Sequence, residues 1–234
     1  MKWNIFEIRE VLKTIYAAVK DAGKEKIVVC HMSTQLVAPF HAFCDAYVDG
    51  EQFWAGETFD GNYIKAITPG QFIAELMGNQ IGLVDFFLPE LIGEQITNPK
   101  CTETLLTLLA LHDTNLWFRS CNVEAVQKMW KAMDTFGIAD AEFIPYWKSQ
   151  PYVSGISEKI KISIYYHQGK DALLVIGNLS DKTETATIVC TLESLGIKGN
   201  ETINLVSGEA INKAAENRLS EVIPPETYRL VLIR

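Results

Sequence analysis

Residues 26–51 read KIVVCHMSTQLVAPFHAFCDAYVDGE, a segment in which two apolar runs each end in a group of polar side chains. The runs are Lys26–Cys30 and Phe43–Val48, and both have the length of a buried strand. The polar side chains at their ends are His31, Ser33, Asp49 and Glu51. In parallel sheets covered by helices, ligands bind at the carboxyl ends of the strands. The segment therefore predicts an α/β fold with its functional site where these two strands end.

The bulk composition is that of a soluble globular protein. The chain has 234 residues, of which 48% are hydrophobic and 21% are charged, enough for one large domain or two small ones. Its net charge of -8 and the lack of a Lys/Arg-rich stripe predict that nucleic acid is not a partner. Acidic residues spread along a chain are typical of a soluble surface and identify no substrate.

Cysteine spacing and nucleotide motifs predict neither a metal site nor a cofactor. The five cysteines are scattered without a C-x-x-C or Cys/His pattern, and G-x-G-x-x-G and G-x-x-x-x-G-K-[ST] are both absent. The amphipathic start of the chain is neither a signal peptide nor a membrane span, so no membrane partner is expected. The chain as given is predicted to be cytoplasmic, or exported if a longer parent protein carries the signal.

Hydrophobic periodicity predicts repeating β/α units over the first 140 residues. The sequence opens on a helix over residues 5–22 that ends at Gly23. After the two strands come a helix from Pro69 to Asn79, a buried strand within 82–88, a helix from Asn98 to Leu111, a strand within 115–119, and a helix between Asn122 and Gly137. The order indicates β/α units with long loops from strand to helix.

Beyond residue 150 the pattern changes to alternation with period two. Residues 159–166 alternate, 168–171 form a turn, and 172–176 return as a second strand. Further strand-length runs lie at 184–192, 201–206 and 227–234. The sequence thus predicts a partial (β/α) TIM-like barrel over 1–146, a hinge at 147–153, and a small antiparallel β-sandwich domain over 150–234.

The predicted strands of the first domain are too few for a closed barrel. A (β/α)8 barrel takes about 250 residues and eight strands. Residues 1–140 contain about four strand candidates and begin on a helix, so the strand that should precede that helix is not in the chain. A truncated barrel, an open α/β sheet and a half-barrel completed by a second copy in a homodimer are the alternatives, of which the truncated barrel is favoured.

Several motifs carry a resemblance to a known family. They are Asn4-Ile-Phe-Glu-Ile-Arg9, His31-Met-Ser33, Asp45-Ala-Tyr-Val-Asp-Gly-Glu51, Asp85-Phe-Phe-Leu-Pro89, Leu111-His-Asp113, Asn204-Leu-Val-Ser-Gly-Glu-Ala210 and the terminal stretch 223–233. Together they resemble the C-terminal half of a TIM-barrel glycoside hydrolase-like protein of the bacterial family 123 type, with its closing β-sandwich. The resemblance implies a carbohydrate ligand and, if the site is complete, hydrolysis of glycosidic bonds. It also implies that catalytic carboxylates come partly from middle strands that this chain does not contain.

The predicted catalytic residues are Asp49, Glu51 and Asp45. Glycoside hydrolysis needs two carboxyl groups, about 5 Å apart for retention or about 6.5–9.5 Å for inversion, with one kept protonated. Strand alternation puts Asp45, Tyr47 and Asp49 on one face, which would line the barrel interior with Asp45 deepest. The alternative interpretation is that Asp49-Gly50 is only a turn and that Glu51 is solvated.

The remaining candidates would bind substrate. They are His31, Ser33, Tyr47, Trp54, Asp85 and Asp113. His31 and Ser33 would bond sugar hydroxyls, Trp54 would stack on a sugar face, and Asp85 is a carboxylate inside an apolar run. Asp113 either contributes to binding or only caps its helix. Two functions stay open at this point: a glycosidase that uses the three acids, and a non-catalytic carbohydrate-binding or scaffold protein.

Overall fold

The structure is a computed structural model that describes residues 4–31, 41–53, 58–76, 82–199, 201–211, 213–215 and 217–234. It contains helices together with parallel and antiparallel sheets, as the sequence predicts. By their contacts the residues fall into two compact units. The first comprises Met1–Phe59, Ala66–Glu90 and Thr114–Ser120, and the second comprises Asp60–Lys65, Leu91–Asp113 and Cys121–Arg234.

The predicted helices and strands appear in the predicted order, and further elements lie between them. The helices are α1 (Ile5–Ala22), α2 (Tyr63–Ala66), α3 (Pro69–Glu75), α4 (Glu94–Thr97), α5 (Pro99–His112) and α6 (Val123–Phe136). The strands are β1 (Val29–His31), β2 (Ala46–Asp49), β3 (Val84–Phe87), β4 (Asn115–Leu116), β5 (Glu142–Ile144), β6 (Val153–Ser154), β7 (Ile160–His167), β8 (Asp171–Asn178), β9 (Glu184–Cys190), β10 (Thr202–Asn204), β11 (Lys213–Ala215), β12 (Arg218–Ile223) and β13 (Thr227–Ile233). Among the described helices, none is both long enough and apolar enough to cross a membrane.

The first unit is built on a four-stranded parallel sheet with the order β1-β2-β3-β4. Tyr47 of β2 pairs with Cys30 of β1 and with Asp85 of β3, so β2 lies inside the sheet. Phe72 of α3 stacks on Phe87 of β3 with ring centroids 6.1 Å apart, and neither residue is exposed. All four strands run in the same direction, so their carboxyl ends lie at one edge of the sheet.

Local sequence explains where α3 begins. The Thr68 hydroxyl accepts a hydrogen bond from the backbone N–H of Gln71, and the Gln71 side chain accepts one from the N–H of Thr68. This reciprocal capping box satisfies two amide groups that the first turn of a helix leaves unpaired, and Pro69 at the first helical position supplies a suitable φ. These contacts explain why the helix begins at Pro69, where the sequence predicts it.

Helix α1 is amphipathic, yet its apolar side chains are exposed. The exposed fraction is between 47% and 77% for Phe6, Ile8, Val11 and Ile15. In the part of the chain that the structure describes, no residue of this helix is buried. A surface helix of a globular protein normally covers such a stripe against a core. Within the described ranges, the apolar face of α1 is thus not covered.

The second unit contains two antiparallel sheets, with the orders β10-β13-β8-β7-β5 and β11-β12-β9-β6. Inward side chains of both sheets form one hydrophobic cluster, which includes Ile162, Leu174, Ile188 and Leu219. Helix α5 belongs to the same unit and packs on its five-stranded sheet. The Ser163 hydroxyl of β7 donates a hydrogen bond to the carbonyl of Leu111 in α5 at 2.7 Å. Contacts therefore group α5 and α6 with the antiparallel sheets, whereas the predicted domain limits, 1–146 and 150–234, stay a prediction.

Candidate functional site

A cavity of about 350 Å³ lies where β1, β2 and β3 end and β4 continues into its loop. This volume is at the lower end of the range for small-molecule sites, about 300–1,000 Å³. The strand-end cavity is lined by Val29, His31, Val48, Glu51, Leu88, Trp117 and Arg119. It combines a carboxylate, an imidazole, a guanidinium and an indole with an apolar floor, in the place where a parallel sheet presents ligand-binding groups.

His31 and Glu51 face each other in this cavity. The imidazole Nε2 of His31 lies 3.2 Å from Oε2 of Glu51, and both side chains are partly exposed. His31 is the last residue of β1, and Glu51 opens the short 3-10 turn Glu51–Phe53 that follows β2. Two residues that the sequence assigned to neighbouring strand ends are therefore brought together.

Gly50 determines how the chain leaves β2. Its φ of 129° lies in the region that favours glycine, and a Cβ built on it would come within 2.9 Å of the Leu88 carbonyl oxygen. The N–H of Leu88 donates to the carbonyl of Asp49 at 2.7 Å, which ties this turn to the end of β3. Gly50 thus connects the end of β2 to the 3-10 turn Glu51–Phe53, and this connection places Glu51 at the cavity wall.

Asp49 is buried behind that wall. It is 1% exposed, and its Oδ1 accepts a hydrogen bond from the N–H of Gly50 at 2.9 Å. Burial raises its pKa from 3.8 to about 6, an effect reinforced by the charge of Glu75 and reduced by hydrogen bonds from Gly50 and Gln52 and by the charge of His31. The Gln52 amide also donates to Glu75 at 3.2 Å. Asp49 therefore exchanges its proton near neutral pH but is not a residue of the cavity lining.

Glu90 is a carboxylate that the sequence analysis missed. It hydrogen-bonds the Glu51 side chain, and its pKa is raised by burial first and then by the neighbouring negative charge of Glu51, against the opposing charge of Arg119. Glu90 follows Leu88-Pro89 directly after β3, and Trp117 and Arg119 follow β4. The rule that identified His31 and Glu51, polar groups just after an apolar strand, applies to these residues as well. Trp117 is 42% exposed and contacts Phe86 edge-on at 5.6 Å.

Asp45 lies at the opposite end of β2, which corrects its predicted position as the deepest acid of the site. Its carboxylate is 2.9 Å from the Lys20 ammonium and accepts hydrogen bonds from the Val28 N–H at 2.8 Å and the Tyr16 hydroxyl at 3.4 Å. Burial acts to raise its pKa, but these donors outweigh burial and lower it. Asp45 thus joins α1 to the start of the sheet. Tyr47, predicted on the same polar face, has no exposed surface, because β2 is covered on both faces.

The other two acids predicted for binding are engaged in internal contacts. Asp85 is 1% exposed and accepts a hydrogen bond from the Thr114 hydroxyl at 3.1 Å. Asp113 ends α5 in a left-handed conformation and accepts one from the Tyr165 hydroxyl at 3.1 Å, and burial raises its pKa. Asp85 belongs to the first unit and Asp113 to the second, and neither lines the strand-end cavity.

Two predicted residues, Ser33 and Trp54, lie outside the described residues. Within the described ranges, no group of three or more His, Cys, Asp or Glu side chains is arranged to hold a metal ion. Of the described residues with functional side chains, His31, Glu51, Trp117 and Arg119 line the cavity, whereas Glu90 contacts Glu51 and Asp49 is buried behind the cavity wall.

Comparison with known families gives a match to the C-terminal part of the chain. Residues 125–233 match the C-terminal domain of glycoside hydrolase 123. The match runs from α6 to the end of β13. The resemblance inferred from the sequence motifs is thereby confirmed over these residues. No curated protein sequence matches the chain.

Solved structures of glycoside hydrolases share the fold. An Anoxybacillus α-amylase superposes with a TM-score of 0.63 at 11% identity, over 96% of this chain and 56% of that one. AmyP in complex with maltose gives 0.60 at 10% identity, over 97% and 62%. A family 27 β-L-arabinopyranosidase from Geobacillus stearothermophilus, in complex with arabinose, gives 0.56 at 14% identity, over 96% and 54%. The chain therefore has a glycoside hydrolase-like fold and spans little more than half the length of these relatives.

Proposed function

We propose that this chain acts on carbohydrate at the strand-end cavity and hydrolyses glycosidic bonds when its site is complete. The observation that carries the proposal is the position of Glu51, paired with His31 and Glu90, in a cavity at the carboxyl ends of a parallel sheet. Trp117 adds an aromatic surface, and Arg119 adds donors for sugar oxygens. The family match and the sugar ligands of two related structures support carbohydrate as the ligand class.

The short distance between the Glu51 and Glu90 carboxyl groups limits the role that this pair can have in hydrolysis. Glu51 and Glu90 are hydrogen-bonded, whereas the two acids of a glycosidase stand about 5–5.5 Å apart for retention or about 6.5–9.5 Å for inversion. The pair would therefore act as one unit on one side of the scissile bond. Burial and the neighbouring Glu51 charge raise the pKa of Glu90, which makes it the more easily protonated partner of the pair. The opposing carboxylate would come from outside the described residues.

This requirement agrees with a fold that is part of a larger barrel. We infer a partial (β/α) barrel, residues 1–146, followed by a β-sandwich domain, residues 150–234. The four parallel strands and the exposed apolar face of α1 support this inference, because a closed barrel has eight strands and covers its helices on the sheet side. Further strands would come from a longer chain or from a second copy in a homodimer, and each source would cover α1 and add acids to the site.

A non-catalytic carbohydrate-binding protein is the alternative function. The closeness of Glu51 and Glu90 favours it, since the pair alone lacks the separation that glycoside hydrolysis needs. Binding requires only the aromatic surface and hydrogen-bonding groups of the cavity. The two functions differ in turnover but share the ligand class and the residues that contact it.

The test measures glycoside turnover and saccharide binding on the same preparation of the protein. Aryl glycosides, including N-acetylhexosaminides, are screened for release of the aryl group, and light scattering gives the mass of the species in each active fraction. Turnover that is lost in Glu51→Gln supports the enzyme. Saccharide binding without turnover, weakened by Trp117→Ala, supports the binding protein. Neither turnover nor saccharide binding by folded protein would overturn the proposal.

A further inference from the structure

A second cavity of about 350 Å³ lies in the second unit, between the turn that follows β5 and the start of β7. We call it the Trp147 groove. Its polar and aromatic lining residues are Tyr146, Trp147, Gln150, Ser157, Glu158 and Lys161. The predicted hinge, residues 147–153, provides part of this lining, and Trp147 is partly exposed.

The two aromatic rings of the groove are fixed from behind by a buried histidine. Tyr146 and Trp147 are perpendicular, with centroids 4.9 Å apart. The His112 ring lies edge-on to Tyr146 at 5.4 Å and tilted against Trp147 at 5.8 Å. Burial lowers the pKa of His112 to about 4, so the imidazole is neutral and its Nδ1 donates to the Leu108 carbonyl at 2.7 Å. Both rings are thus held by α5 before any ligand arrives.

The backbone of the same segment is also fixed. The hydroxyl of Ser149, which is 2% exposed, donates to the Tyr146 carbonyl at 3.1 Å. The N–H groups of Tyr152 and Val153 both donate to the Ser149 carbonyl, and the N–H of Tyr146 donates to the Ser163 hydroxyl at 3.0 Å. A rigid aromatic surface loses little conformational entropy when a ligand binds, which is the condition for useful affinity at a small site.

We propose that the Trp147 groove is a second carbohydrate-binding site, which takes a neutral pyranose with one face stacked on the Trp147 indole. The volume suits a ligand of a few rings at most. The rim provides an amide at Gln150, a hydroxyl at Ser157, and opposite charges at Glu158 and Lys161. These groups both donate and accept hydrogen bonds and carry no net charge, which matches the hydroxyl groups of an uncharged sugar.

Lys161 completes the site on the side of Tyr146. Its ammonium lies 5.7 Å from the centroid of the Tyr146 ring, so it is held over the aromatic face with its donors available at the rim. Burial raises the pKa of the Tyr146 hydroxyl to about 12, so the hydroxyl stays protonated at neutral pH. The groove lies wholly within the part of the chain that matches the C-terminal domain of glycoside hydrolase 123. It shares the ligand class with the proposed function but none of its residues.

The experiment follows the indole N–H signals of the full chain by NMR during titration with maltotriose, xylotriose or triacetylchitotriose. The chain has five tryptophans, so at most five indole N–H signals are expected, and single Trp→Phe variants assign them. We expect at least one probe to shift the Trp147 signal. Trp147→Ala is expected to weaken the affinity by about tenfold or more. Trp130→Ala, which removes a 43% exposed indole outside the groove, is the matched control and should leave the affinity unchanged.

Other results of the titration would contradict the proposed site. A shift at Trp117 alone, or no probe that perturbs Trp147, overturns the proposal. Aromatic grooves also bind proline-rich peptides, so a polyproline peptide is titrated as well, and its binding in place of all three sugars would overturn the proposal too. If Trp147→Ala does not fold, the saccharide affinities of Gln150→Ala and Lys161→Met are measured instead, because both side chains line the groove. Unchanged affinity in both variants would overturn the proposal. The Trp117 indole separates this site from the strand-end cavity, because a saccharide shift at Trp147 should persist both in Trp117→Ala and in Glu51→Gln, whether or not the chain turns over aryl glycosides.

Discussion

The imidazole of His31 and the carboxylate of Glu51 meet at 3.2 Å across the ends of two adjacent parallel strands. The two residues are remote from each other in the sequence. The contact between them arises because β1 and β2 are parallel, with His31 opposite Val48. Residues that directly follow each strand therefore lie at the same edge of the sheet. Glu90, which follows β3, reaches the same place for the same reason.

Where the site is complete and a glycoside is turned over, Glu51→Gln should lower kcat sharply without unfolding the protein. The amide keeps the size of the side chain but cannot exchange a proton with Glu90 or form an ion pair with His31. We expect kcat to fall by about 10²- to 10⁴-fold, the usual contribution of a general acid or base, and saccharide affinity to change far less. Glu7→Gln, an exposed position on α1, is the matched control. Equal turnover in the two variants would remove Glu51 from the mechanism.

Gly50→Ala should destabilise the first unit. A Cβ at this position meets the Leu88 carbonyl oxygen at 2.9 Å and forces an unfavourable positive φ, so we expect a loss of about 1–3 kcal/mol in the free energy of unfolding. The matched control is Gly70→Ala within α3, where nothing lies within 4 Å of the new Cβ and the stability should stay level or rise slightly. Urea unfolding of both variants measures the difference, and equal midpoints would contradict the role given to Gly50.

Asp49→Asn should change how stability depends on pH. The folded-state pKa of Asp49 is raised from 3.8 to about 6, so its contribution to stability is complete below about pH 4 and is lost as pH rises through 6. The wild-type protein should lose on the order of 2–3 kcal/mol from this group by neutral pH. Asparagine does not ionise, so the variant should gain stability relative to wild type as the pH increases. Thermal unfolding across this range is the measurement, and parallel curves would show that Asp49 does not titrate in this window.

Asp45→Asn should impair stability and leave function intact. Asp45 is bonded to Lys20 and Val28, and its lowered pKa means that the stability it contributes is present above its usual pKa and is lost as pH falls. We expect a loss of about 1–3 kcal/mol at neutral pH that shrinks in acid. Lys20→Met should produce a similar loss, and the double variant should lose less than the sum. A folded Asp45→Asn protein without turnover would restore Asp45 to the catalytic group.

His112 should stay neutral at a pH where an ordinary histidine is protonated. Burial depresses its pKa from 6.5 to about 4, so the stability linked to its neutral form is present above the usual pKa and is lost as pH falls toward 4. Nitrogen-15 NMR of the imidazole at about pH 5 should show a neutral ring with the proton on Nδ1, facing Leu108. A titration midpoint near the usual value would show that the ring is hydrated and that it does not hold Tyr146 and Trp147 from a dry core.

Local signals in the sequence determined most of the secondary structure. The Thr68-Pro69 start of α3, the Asn122 cap and Gly137 end of α6, and the alternation of β7 and β8 are properties of a few adjacent residues, and each lies where the sequence predicts. The short strands β5, β6 and β11 were missed, because two or three residues carry no period. Strand β12 alternates over six residues and was also missed.

The tertiary structure alone decided which acids share a site. Alternation put Asp45 and Asp49 on one face, but β2 is buried on both faces, and the two ends of a strand belong to different environments. The approach of Glu90 to Glu51 is set by the register of β2 and β3, and the support of Trp147 by His112 is set by the packing of α5. A sequence lists which side chains can ionise or stack. Which of them meet depends on distances between elements remote in the chain, and those distances are fixed only when the sheets pair and the core packs.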